Sequence, residues 1–178
     1  MAAITTERLS LVPWRTEHVE LLSHLASMPE VMTFIGPGEL WPEQKSEEVS
    51  NAAVAHWQQH GFGWRVAAER TTGRVIGFIG LNFAGEGTPR VAVDEFEIGW
   101  WMDPIVWGRG YAREGGSAIR DEAFLRRSAP SVIARIQPAN GASVAVAESI
   151  GLAHDFDTTG KVGEPVSVYR LNRPKTAT

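Results

Sequence analysis

Apolar and polar residues alternate from Ile4 to Val12, the period-two pattern of a strand with one buried face, until Pro13 and Trp14 break it. Thr16 then supplies a hydroxyl able to cap a helix of about a dozen residues, with Val19, Leu22 and Leu25 on one face. Met28 to Trp41 is rich in Pro and Gly and reads as an irregular connection with one helical turn near Pro29 to Phe34. Pro42 at a first helical position and Gly61 as a stop bracket a second helix that runs through His60. Strands are predicted at Phe62 to Glu69 and Arg74 to Asn82, joined as a hairpin through Thr71-Thr72-Gly73. Another follows at Val93 to Met102. A helix from Gly110 to Arg127 places Ala112, Gly116, Ile119 and Ala123 on one stripe, small residues that allow close approach to a sheet. The pattern closes with a strand at Ser131 to Gln137, a helix at Asn140 to Ile150, and strands near Leu152 to Asp157 and Pro165 to Leu171.

The junction of the Val93 to Met102 strand with its helix carries the strongest chemical signal, WGRGYA at 107–112. Gly108 and Gly110 let the backbone turn tightly against a ligand, and the first amides of the helix that follows have no intrahelical acceptor. Such a loop suits phosphate. A triphosphatase loop would require Lys and a hydroxyl where Tyr111 and Ala112 stand, and a dinucleotide fold would put its glycines after the first strand, not past residue 100. A coenzyme A diphosphate site fits the order of the elements.

Composition narrows the chemistry. With 178 residues and 43% of them hydrophobic, the chain (1–178) is expected to form one domain. A formal charge of −4 argues against a general nucleic-acid surface, and the lack of cysteine excludes disulfides, thiolate metal sites and a Cys nucleophile. Glu7 and Arg8 interrupt the apolar run a signal peptide would need, and no stretch has membrane-spanning length, so a soluble cytoplasmic protein is expected.

Several segments in order, TERLSL, PEVMTFIG, GFGW, TGRVIGFIGL, EFEIGWWM, WGRGYAREG, PANGAS with ESIGL, and VYRL, together resemble the GNAT superfamily of acyl-CoA-dependent N-acetyltransferases, in the branch of the RimJ and RimL ribosomal-protein alanine acetyltransferases. The resemblance implies an α/β fold with a mixed, strongly bent sheet of six or seven strands, helices on both faces and a splayed central strand pair. It implies acetyl-CoA as co-substrate with no metal, a primary amine of a small molecule or protein N-terminus as acceptor, and a monomer or homodimer. Pantetheine would lie between the strands at Phe96 to Met102 and Ser131 to Gln137. Cofactor contacts fall on Trp101, Met102, Trp107, Gly108, Arg109, Gly110, Tyr111, Ala112, Asn140 and Ser143, with Trp107 replacing the family's usual polar residue.

Attack on a thioester needs a neutral amine, which makes a strand carboxylate the natural base. Asp94, Glu95 and Glu97 are all candidates, and the family position favours Glu97. Ala147 occupies the place where many relatives carry a Tyr acid, leaving Ser143 or water. Phe34, Ile35, Trp41 and Phe62 fall where the family lines its acceptor pocket. His56 and His60 share a helical face without a third ligand and read as a solvated helix end, with His154 at a strand end; Arg120 reads as a solvated face. A non-catalytic acyl-CoA-binding module is the rival function, encouraged by the missing Tyr.

Overall fold

The computed structural model describes residues 3–174. It gathers the alternating segments into one eight-stranded sheet, one or two strands more than expected. The strands are β1 (Ile4–Thr5), β2 (Leu9–Pro13), β3 (Arg65–Glu69), β4 (Val75–Phe83), β5 (Phe96–Met102), β6 (Ser131–Ile136), β7 (Ala153–Thr159) and β8 (Pro165–Asn172). They lie in the order β1-β2-β3-β4-β5-β6-β8-β7. The additional strand arises because the first alternating run is folded back on itself: Thr6 N–H donates to the Leu9 carbonyl at 2.9 Å, and β1 and β2 pair antiparallel. The strand expected from Val93 begins only at Phe96, because Ala92 to Glu95 form a turn closed by Glu95 N–H on the Ala92 carbonyl at 3.1 Å.

All neighbouring pairs are antiparallel except β5 and β6, which run parallel. The register of β3 on β4 shifts at Ala67/Ala68, opposite Gly77. Gly77 has φ +146, and a Cβ there would lie 2.2 Å from the Trp101 carbonyl oxygen, so only glycine serves. A bulge of this kind increases twist and bends the sheet.

Helices cover both faces. On one side α1 (Val19–Ala26) and α3 (Glu43–His60) pack Leu22, Leu25, Ala53 and Trp57 against Trp14, Val66 and Phe78. On the other, α4 (Tyr111–Arg126) and α5 (Gly141–Ser149) bring Ile119, Ala123 and Ala147 onto Leu9, Leu11, Ile79 and Ile98. A single turn, α2 (Pro29–Met32), lies between α1 and α3. Among the described residues no helix is long and apolar enough to cross a membrane.

Hydropathy gave no sign of a buried ion pair between α4 and β3. Arg65 Nη2 and Nε donate to the two carboxylate oxygens of Glu122 at 2.8 and 3.1 Å, and each side chain is only 2% exposed. Arg120, expected to be solvated, donates from Nη1 to the Ile150 carbonyl at 2.7 Å and so ties α4 to the end of α5. His56 and His60 also depart from a solvated helix end. Their rings pack with Phe62 and Phe83, His56 Nδ1 lies 2.9 Å from the Phe62 carbonyl, and the Phe83 N–H donates to Nε2 at 3.4 Å.

Two expectations follow. Glu122→Ala leaves a buried guanidinium without its carboxylate and is expected to cost about 3 kcal/mol or more in urea unfolding, whereas Arg65→Met with Glu122→Leu is expected to restore most of that loss. A cost below about 1 kcal/mol for the single variant would contradict the assignment. Burial lowers the pKa of His56 below 6.5, so on acidification the unfolded chain takes up this proton first. The stabilisation is therefore complete above pH 6.5 and is lost as pH falls toward the folded value. Melting temperature should drop more between pH 7.5 and 5.5 in the parent than in His56→Asn, and parallel pH curves would disprove this.

Candidate active site

The site begins where the sheet comes apart. β5 and β6 share a single paired position, Glu97 with Ile133, after which they diverge. Asp103 N–H bonds the Ile76 carbonyl and the Glu95 carbonyl accepts from Ala84 N–H, so the odd-numbered residues of β5 turn their backbone groups toward β4. By the alternation of an antiparallel strand, the N–H groups of Trp100 and Met102 then point into the gap on the β6 side. They are free to polarise a carbonyl there.

At the base of the gap Arg135 of β6 reaches across to β5. Its Nε and Nη2 donate to Glu97 Oε1 and Oε2 at 2.8 and 2.6 Å, while Nη1 donates to Thr88 Oγ1 at 2.5 Å and Nη2 to the Ala84 carbonyl at 3.1 Å. Burial works against the Arg135 charge, but the Glu97 hydrogen bonds and charge outweigh it and raise its pKa. Arg170 of β8 makes a second tie, donating to Glu95 and, at 2.6 Å, to Asp155. Of the three carboxylates weighed as bases, Glu95 is thus held by Arg170 and Glu97 by Arg135.

Above the base, the gap widens into a cleft of about 490 Å³. Trp100, Trp101 and Met102 form one wall, Asn140, Ser143 and Val146 the other, with the loop from Val106 to Arg113 at one end and Val31, Phe34 and Ile35 over the rim. Gly108 and Gly110 have φ +72 and +77, and no side chain caps the N-terminus of α4. An uncapped helix start behind a left-handed glycine is a fit for a diphosphate. The loop is braced from behind by the start of the chain: Arg8 Nη1 donates to the Arg109 carbonyl at 2.8 Å and Nε to Glu114 at 2.6 Å, and Thr6 Oγ1 donates to the same carboxylate at 2.5 Å. Burial pushes the Glu114 pKa up, but these bonds prevail and hold it below the usual range. Tyr111 donates to Glu69 at 2.7 Å, which raises the phenol and lowers the carboxyl.

A smaller slot of about 140 Å³ opens on the other face of β4 and β5, and Trp101 lines both spaces. Its floor follows from cross-strand register: Asn82 faces Glu97, Gly80 faces Gly99, and Phe78 faces Trp101. Trp64 lies over Gly80, where a Cβ would approach its ring to 2.5 Å, but above Gly99 nothing stands within 4 Å. The Asn82 carboxamide oxygen accepts from the Trp64 indole N–H.

Trp101, Met102, Trp107, Gly108, Gly110, Tyr111, Ala112, Asn140, Ser143, Phe34 and Ile35 all line the cleft. Asn140 also caps α5, its Oδ1 accepting from Ser143 N–H at 3.0 Å, and Ala147 is fully buried against the core. The Arg109 side chain does not line the cleft; its carbonyl serves the brace. Trp41 lines neither space and instead backs Trp101, ring centroids 5.3 Å apart. Phe62 is a correction: it is 4% exposed, packed with Phe83 and Phe96, and lines neither space. Sequence reading missed Arg135, Trp64 and Gly99, whose partners are set by register across strands. No group of three or more His, Asp or Glu among the described residues could hold a metal ion.

A profile of the Acetyltransferase (GNAT) domain matches residues 8–153. The FsC-acetyl coenzyme A-N(2)-transacetylase of Aspergillus fumigatus is 33% identical over 156 residues, covering 84% of this chain and 64% of that protein. A crystal structure of an acetyltransferase from Agrobacterium tumefaciens superposes with a TM-score of 0.82 at 31% identity, over 97% of this chain and 95% of that one. The RimL ribosomal L7/L12 alpha-N-protein acetyltransferase in complex with coenzyme A shares the fold, with a TM-score of 0.77 at 16% identity over 97% of this chain and 98% of that one. With its splayed strands, its glycine loop and a family profile matching most of its length, the chain belongs to the GNAT acetyltransferase family.

Proposed function

We propose that the chain transfers an acetyl group from acetyl-CoA to a primary amine by direct attack on the thioester. The observation that carries this reading is the meeting of two spaces at Trp101: a cleft with a glycine loop at one end, and a slot with Glu97 beside it. The diphosphate lies on the amides of the loop and of the first turn of α4, and the pantetheine arm runs along β5 past Asn140 and Ser143. The thioester carbonyl sits against the N–H of Trp100 or Met102. The amine nitrogen bonds to the carbonyl carbon, the tetrahedral intermediate collapses, the carbon–sulfur bond breaks, and the thiolate departs.

Two protons must be handled. The ammonium loses one before attack, and Glu97 is the base, acting through water because Arg135 holds both of its oxygens. As the intermediate collapses, its nitrogen gives up a second proton, which passes through water or Ser143 to the departing sulfur; the thiol's solution pKa of about 8.5 means that no strong acid is needed. This suits a site in which Ala147 is buried and offers none.

A second reading, a module that binds acyl-CoA without turning it over, draws on the same Arg135 pairing, since both oxygens of the carboxylate are already engaged. Release of free thiol from acetyl-CoA on addition of amines decides between them: amine-dependent release supports transfer, and tight binding without release supports the module. Gly110→Val, which forces a β-branched residue into a left-handed conformation, is expected to weaken acetyl-CoA binding by at least about 2 kcal/mol in calorimetry, and unchanged affinity in a folded variant would refute the loop assignment. Glu97→Gln is expected to reduce turnover at pH 7 by about 100- to 10,000-fold, with a smaller loss at high pH where the amine is already neutral; near-normal turnover at pH 7 would dismiss Glu97 as base.

A further inference from the structure

Resting on the transferase reading, we infer that the slot above Gly99 selects the acceptor, and that the acceptor is a compact primary amine carrying one flat apolar ring. Size is the first argument. The slot holds about 140 Å³, and an apolar cavity of roughly 150 Å³ takes up a benzene molecule. Shape is the second. Trp64 and Phe78 stack at 4.5 Å, and Phe78 and Trp101 lie 5.5 Å apart at 36°, so three rings wall the space over a strand floor made of two glycines. Aromatic walls favour a planar apolar guest or a cation over an aromatic face.

Charge separates those two guests. Glu97 is the carboxylate that lines the slot, and Arg135 already neutralises it through two hydrogen bonds. A polyamine entering here would bring several charges to a place with no free carboxylate of its own, and burying unpaired charge is costly. A peptide N-terminus would bring backbone donors and acceptors to a space whose polar side chains are already engaged, Asn82 by Trp64 and Glu97 by Arg135. An arylalkyl amine places its ring among Trp64, Phe78 and Trp101 and needs only its single nitrogen to reach around Trp101 to the thioester.

Gly99 is the specificity-determining residue, and its neighbour Gly80 is not. A Cβ at Gly80 would strike Trp64, whereas a Cβ at Gly99 meets nothing within 4 Å, and Gly99 does not have the positive φ that penalises a side chain. Valine at 99 therefore suits the strand while filling the slot.

The test uses the full chain loaded with CoA or acetyl-CoA, and benzylamine, spermidine and an alanine-initiated tripeptide as probes. Calorimetry measures amine binding independently of chemistry, and thiol release measures turnover. Benzylamine is expected to bind and react best, and Gly99→Val to raise its Kd and KM at least about tenfold, the scale on which a hydrophobic pocket discriminates by a methylene or two, with acetyl-CoA affinity unchanged. Gly99→Ala is expected to act in the same direction more weakly, which keeps the test open should the valine variant fold poorly. Indifference of benzylamine binding to both substitutions overturns the inference, as does preference for spermidine or the peptide. Slot-dependent binding of benzylamine without thiol release supports the slot and instead defeats the transferase reading.

Discussion

The structure depends on one parting of strands and on the ion pair that limits it. Were β5 and β6 paired along their length, there would be no cleft, and the N–H groups of Trp100 and Met102 would be spent on the ladder. Were they unpaired throughout, the sheet would divide into two halves. Beside their one backbone pairing, Arg135 and Glu97 hold them together through a planar, bidentate fork that adds geometric specificity, and Arg170 adds a tie to Glu95. The same pairing holds the Glu97 carboxylate in place at the edge of the aromatic slot. One interaction thus both limits the parting of the strands and sets the orientation of that carboxylate.

Around that parting, each half of the sheet has a distinct task. The antiparallel meander from β1 to β5 is bent at Gly77 and carries the aromatic residues of the slot on one face and the packing for α4 on the other. The second half, β6 with β8 and β7, supplies Arg135 and Arg170 as ties and sets α5 against the cleft. The buried Arg65–Glu122 pair anchors α4 to β3 from below. Since α4 begins at the glycine loop, its placement on the sheet decides where the loop's amides point.

Much of this was legible in the sequence, and the parts that were not share a cause. The helices, the hairpin and the glycine loop are written in local signals such as period, glycine stops, turn residues and motif spacing, whereas Trp101, Met102, Asn140 and Ser143 come with the family resemblance; the hydroxyl of Thr16, expected to cap the first helix, makes no such bond. Phe62 falls by family position in the acceptor pocket, yet its side chain is drawn into a cluster with Phe83 and Phe96, residues distant in sequence that only strand pairing unites. The first strand reads as continuous because its polar interruption, Thr6 to Arg8, keeps the alternation going while the backbone turns. Arg135 and Gly99 look ordinary in a linear reading. Their importance comes from what stands opposite them, and cross-strand partners have no signature within a strand.

The brace behind the glycine loop has a consequence for how the protein comes into being. Arg8 and Glu114 are separated by 106 positions, and it is this pair, with Thr6, that holds the loop from behind. Contacts between such distant parts of a chain form only after the intervening elements have condensed. A nascent chain emerging from the ribosome carries Arg8 from the outset, yet has nothing for it to grip until α4 has been synthesised and packed. The shape of the glycine loop is thereby tied to the joining of the chain's first strands with α4, so that local sequence alone does not set it.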